Sequence, residues 1–103
     1  MPVSKIAAIA KLTAQPGKRD ELAKGLQVML DQVESETGTL LYILHADNAE
    51  ADVLWFYELY TEQPALDLHM GSETYKGLGP VIGPLLAGRP ELHLVTPLGG
   101  KGA

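Results

Sequence analysis

The residues of this chain that could do chemistry gather between Trp55 and Tyr75. His69 is followed by Ser72 at i+3 and Tyr75 at i+6, with Gly71 between. A histidine near an aromatic-rich strand can act as a general base near neutral pH. The plainer alternative is a helix-end histidine touching solvent. Glu58 stands inside the apolar run Trp55-Phe56-Tyr57-Glu58-Leu59-Tyr60. A carboxylate there is costly unless paired or hydrogen-bonded, and burial would raise its pKa toward values useful in acid–base work. Its alternative is a fixed structural ion pair. Alternation splits the run into two sets. Leu54, Phe56, Glu58 and Tyr60 point one way, and Val53, Trp55, Tyr57 and Leu59 the other. One set meets helices; the pattern does not say which. Such aromatics are usually core, and they could also stack on a planar ligand. His45 and His93 fall in strand-like segments, where a lone histidine is more often structural.

Several other chemistries are excluded or unsupported. The 103 residues contain no cysteine, which removes disulfides, thiolate metal sites and a cysteine nucleophile. The three histidines show neither HxxxH nor HxH spacing, so no metal is expected. Gly77-x-Gly79-x-x-x-Gly83 is not a dinucleotide fingerprint, and no GxSxG motif occurs. Eight Lys+Arg against 13 Asp+Glu give a net charge of −5. That balance argues against a nucleic-acid partner and against an anionic membrane surface. No apolar run approaches the roughly 20 residues that span a bilayer, and no signal-peptide pattern is present. The expected location is the cytosol.

The elements that must position these residues read clearly. Residues 5–13 suit a largely buried strand ending before Pro16-Gly17. Leu22, Leu26, Met29, Leu30 and Val33 then share one face of a helix of ~20 residues, with Gly38 placed as its C-terminal cap. Residues 39–46 and 53–61 read as an antiparallel hairpin around a polar loop at 47–52. A short helix is expected over 62–70, a second at 73–77 with Ser72 as its N-cap, and irregular chain through the Gly/Pro-rich stretch that follows. A last strand is expected at 91–96. Residues 1–97 form one domain and 98–103 a loose tail. The order β-α-β-β-α-β predicts an α+β, ferredoxin-like subunit: a four-stranded antiparallel sheet with helices on one face. Both faces of that sheet look apolar, and one layer of helices covers only one. The simplest remedy is a homodimer packed sheet to sheet.

The motifs carry a resemblance over about residues 5–97. They are A-x-P-G-K from Ala14 to Lys18, E-x-G-T-L-x-Y-x-L-H-x-D from Glu36 to Asp47, F-Y-E-x-Y from Phe56 to Tyr60, and A-L-x-x-H-x-x-S-x-x-Y from Ala65 to Tyr75. Together they resemble the antibiotic biosynthesis monooxygenase family of dimeric α/β-barrel proteins. The resemblance implies a homodimer with facing sheets and a pocket between each sheet and its helices. It implies oxidation of a small aromatic diol, quinol or anthrone-like ring by dioxygen with no cofactor: no metal, flavin or haem. It implies His69 as base or phenolate partner, Tyr75 as a hydrogen bond to a substrate oxygen, and Glu58 as an orienting or structural group. Trp55, Phe56, Tyr57 and Ser72 are the candidate substrate contacts. Haem-degrading relatives look to have an asparagine on the first strand, part of an Asn–Trp–His set, whereas the only asparagine here is Asn48, in a loop, which disfavours haem degradation. Two other readings stay open. One is a non-oxidative isomerase using His69 and Glu58 as a proton-transfer pair; the other is a dimeric ligand-binding or stress-associated protein without turnover.

Overall fold

The computed structural model describes residues 4–103. Strand β1 (Ile6–Thr13) leads through a turn at Gly17 into helix α1 (Arg19–Gln32), which ends in a 3-10 turn, Val33–Ser35. Gly17 adopts φ +76°, a left-handed conformation that side chains disfavour, and its amide donates to Asp52 Oδ1 at 3.0 Å. The hairpin follows as β2 (Thr39–Ala46) and β3 (Val53–Tyr60). Its loop is held by Asp47, whose carboxylate accepts from the amides of Ala49 and Glu50 at 2.9 and 2.8 Å. Helices α2 (Gln63–Gly71), α3 (Glu73–Lys76) and α4 (Leu78–Ile82), a second 3-10 turn (Gly83–Leu85) and strand β4 (Glu91–Val95) complete the chain.

The four strands form one antiparallel sheet in the order β2-β3-β1-β4, the ferredoxin-like arrangement, with the helices on one face. Leu22, Leu26 and Met29 of α1 are fully buried, as the 3.6-residue spacing requires. They pack with Leu12, Leu54, Phe56, Leu78 and Ile82 into the main core. Ala8, Tyr60 and Leu66 form a smaller cluster beside α2.

Two expectations need correction. Gly38 is not a helix cap, because α1 has already ended in its 3-10 turn. Its lack of a side chain serves packing instead: a Cβ built at Gly38 would lie 2.5 Å from Ala65 Cβ on α2. The stretch from Leu78 to Leu85 is helical rather than irregular. Pro80 lies in the first turn of α4 and Pro84 in the first positions of the 3-10 turn, where a missing N–H costs no internal hydrogen bond. Leu78 and Ile82 are thereby buried on α1 and the sheet.

Candidate functional site

The polar residues converge where α2 crosses the sheet. On β3, Leu54, Phe56, Glu58 and Tyr60 all face the helices, which settles the side that alternation left open. Opposite Glu58 on β2 stands Tyr42, whose ring packs on Phe56 at a centroid distance of 4.7 Å. Leu66 and His69, three apart on α2, share its buried face. His69 is only 2% exposed, so it is not a solvent-touching helix end. Its ring lies among three tyrosines, with centroids 5.1 Å from Tyr42, 5.5 Å from Tyr60 and 5.4 Å from Tyr75.

Two carboxylates serve this cluster in different ways. Glu36, in the connection after α1, lies with Oε1 2.8 Å from His69 Nδ1. The same oxygen accepts from Thr39 Oγ1 at 2.8 Å, and Oε2 accepts from Gln32 Nε2 at 3.4 Å. Burial pushes Glu36 up, but hydrogen bonds from His69, Thr39 and Gln32 and the charge of His69 outweigh it, so the acid sits below its ordinary range. Glu58 is pushed up by burial, against the opposing pull of its hydrogen bond from Tyr60 OH at 2.5 Å. Burial first, and the charge of Glu58 second, also raise Tyr42, Tyr60 and Tyr75, which keeps the phenols protonated as donors.

Tyr42, Glu58, His69 and Tyr75, but not Glu36 or Tyr60, line a cavity of about 460 Å³ between sheet and helices. Together with the exposed Lys76 these four form its polar part. Leu12, Leu26, Phe56, Leu78 and Ile82 supply apolar wall, and Leu92 and Leu94 of edge strand β4 form a half-exposed rim. The space exists because the central strand β1 presents only Ala8 and Ala10 at its middle. His69 Nε2 makes no hydrogen bond among the described residues, and no fully buried side-chain nitrogen or oxygen there lacks a partner. Nε2 therefore opens onto the cavity, where it can exchange a proton with a bound hydroxyl.

The structure thus brings together four of the seven residues singled out from the sequence: His69, Tyr75, Glu58 and Phe56. Trp55 and Tyr57, expected to line the same pocket, lie on the opposite face of the sheet because alternation separates them from Phe56 and Glu58. There the Trp55 indole donates to Asp47 Oδ1 at 2.8 Å, and Tyr57 sits between Ile9 and Ile43. Ser72 is off the cavity wall as well. Its Oγ accepts from the Tyr75 amide at 3.1 Å and donates to the His69 carbonyl at 2.9 Å, so it caps α3 and joins the backbones that carry both residues. Sequence reasoning missed Glu36, Tyr42, Tyr60 and the paired alanines. The available signals were the small residues alternating on a central strand and the acid two residues before Gly38. His45 and His93 are exposed on the opposite face, with His93 Nε2 3.9 Å from Glu91. Among the described residues no three His, Cys, Asp or Glu side chains are grouped to hold a metal ion.

Comparison with known proteins agrees with this architecture. A proposed antibiotic biosynthesis monooxygenase from Caulobacter crescentus CB15 is 32% identical, with a TM-score of 0.85 over 91% of this chain and 90% of that one. Rv0793 from Mycobacterium tuberculosis is 29% identical, with a TM-score of 0.86 over 97% and 100%. PA3566 from Pseudomonas aeruginosa, 23% identical, shares the fold at a TM-score of 0.86 over 96% and 99%. No curated protein matches. The family model described as antibiotic biosynthesis monooxygenase matches residues 5–78, a span holding Glu36, Glu58, His69 and Tyr75. With that pattern across most of its length and its sheet and helices superposing on those of a 32% identical relative, the chain belongs to the antibiotic biosynthesis monooxygenase family.

Proposed function

We propose that this protein is a cytosolic, cofactor-independent monooxygenase that oxidises a small aromatic diol, quinol or anthrone-like ring with dioxygen. The observation that carries the reading is the buried imidazole of His69 opening onto an apolar cavity edged by tyrosine phenols. An electron-rich phenol becomes a far better electron donor once deprotonated. His69 takes the hydroxyl proton, and Tyr75 donates a hydrogen bond to a ring oxygen. The bound anion then gives an electron to dioxygen, and the two radicals combine at a ring carbon. For an anthrone, loss of water from the resulting peroxide leaves one oxygen atom as the new carbonyl and the other in water. The protein's part is to bind the ring, hold the proton and exclude solvent.

A homodimer completes this reading. The sheet face away from the helices exposes Leu41, Ile43 and Val95, with Ile9, Trp55 and Tyr57 half-buried among them. A second copy packed sheet to sheet would cover that face and leave the cavity on the other side open to substrate. No helix among the described residues is long and apolar enough to cross a membrane.

The test is oxygen uptake by metal-stripped protein with a panel of anthrones and hydroquinones, beside a His69 variant and an enzyme-free blank. Uptake above autoxidation that falls in the variant supports the oxygenase. The shared cavity of His69 and Glu58 also fits an isomerase using them as a proton-transfer pair. Turnover of a probe that persists without oxygen would favour that reading.

A further inference from the structure

We propose that Glu36 is the positioning residue of the site: its carboxylate holds His69 in the tautomer with the proton on Nδ1 and the Nε2 lone pair turned into the cavity. The inference rests on His69 being the base. Neutral imidazole carries one proton and can place it on either nitrogen; a base facing the cavity through Nε2 must carry it on Nδ1. Glu36 enforces that choice because an ionised carboxylate only accepts, so the nitrogen 2.8 Å from its Oε1 must donate. No other hydrogen bond to the ring exists among the described residues. Of the three tyrosines around it, Tyr60 commits its hydroxyl to Glu58, and none hydrogen-bonds the imidazole.

Glu36 is itself held from two further directions. Thr39 at the start of β2 donates to Oε1, and Gln32 at the end of α1 donates to Oε2. Its side chain retains 14% exposure and lines a second, polar cavity with Gln32, Thr39 and Ser72, away from the ring-binding space. The carboxylate therefore sits behind the imidazole, and the hydrogen bonds it accepts favour its charged form. It lies outside the lining of the first cavity, so it acts on a ligand only through His69. That separates it from a substrate contact and predicts an effect on kcat without one on KM.

The experiment is a long-range proton–nitrogen NMR correlation of the histidine rings at a pH where they are neutral, on wild type, Glu36→Gln and Glu36→Ala. Oxygen uptake with dithranol, a dihydroxyanthrone, runs in parallel. Wild type is expected to carry the His69 proton on Nδ1. Glu36→Gln keeps the shape but offers a weaker, uncharged acceptor, so both tautomers should appear; Glu36→Ala removes the acceptor and should favour Nε2–H. The variants should lose kcat on the order of 10²-fold with KM unchanged. A wild-type His69 protonated on Nε2 overturns the proposal, and that arm needs no variant to fold. Unaltered Nδ1 protonation in both variants overturns it too. Absence of dithranol turnover in wild type would count against the oxygenase, while the ring signals still decide the role of Glu36.

Discussion

Gly38→Ala should weaken the fold and the site together, because Gly38 touches the helix that carries His69. The added Cβ would lie 2.5 Å from Ala65 Cβ, 3.3 Å from Thr61 Oγ1 and 3.5 Å from Ala65 Cα. Two carbons rest at about 3.5–4.0 Å, so α2 must retreat by roughly 1 Å. Ala65 and His69 are four apart on that helix and lie one above the other on its face. A retreat of that size would stretch the 2.8 Å contact from His69 Nδ1 to Glu36 beyond hydrogen-bonding range. Overpacking of this kind costs about 1–3 kcal/mol. For a domain near 100 residues each kcal/mol lowers Tm by roughly 4–8 °C, so the loss should be several degrees at least. Thermal unfolding of Gly38→Ala, Ala65→Gly and the double variant gives the coupling directly. Ala65→Gly removes the opposing Cβ at a helix cost of about 1 kcal/mol, and the double variant should recover at least that much of the clash. A Gly38→Ala protein that melts within a degree of wild type, with no coupling in the cycle, would refute the close approach and its link to His69.

His69→Ala should lower stability by on the order of 2 kcal/mol, since it empties a fully buried position between three tyrosines; an unchanged denaturant midpoint would contradict that burial. Glu58 is raised above its ordinary 4.5 by burial, so its protonated form favours the folded state. Its stabilising contribution is complete below about 4.5 and is lost as pH rises through the folded-state value. Glu58→Gln should therefore gain on wild type as pH rises from 4 to 8 in urea titrations, and a constant difference would refute the shift. Ile43→Glu, on the exposed sheet face, should convert a sedimenting dimer to monomer at micromolar concentration with little change in fold; a persistent dimer would place the interface elsewhere.

Much of the architecture was legible because strand and helix periods differ so clearly. The β-rich runs at 39–46 and 53–61 gave the hairpin, and the spacing from Leu22 to Val33 gave the long helix. Ser72 was also legible as a cap. What failed was information held only in three dimensions. Alternation divides Trp55 and Tyr57 from Phe56 and Glu58, but only helix placement says which set meets the cavity. Glu36 and His69 are 33 residues apart, and no local pattern marks their contact. The Gly/Pro-rich stretch misled for a local reason: composition suggested breaks, whereas its prolines occupy initial turns that tolerate them.

The alanines of β1 separate two properties that many binding sites entangle. Ala8 and Ala10 set the depth of the cavity from the middle of the sheet, while His69 and Glu36 are anchored to α2 and to the connection after α1. Cavity size and the setting of the buried imidazole are thus encoded in different elements. Larger side chains at positions 8 and 10 would shrink that cavity without disturbing the contact between His69 and Glu36, so related proteins could diverge in the size of what they admit while keeping that contact.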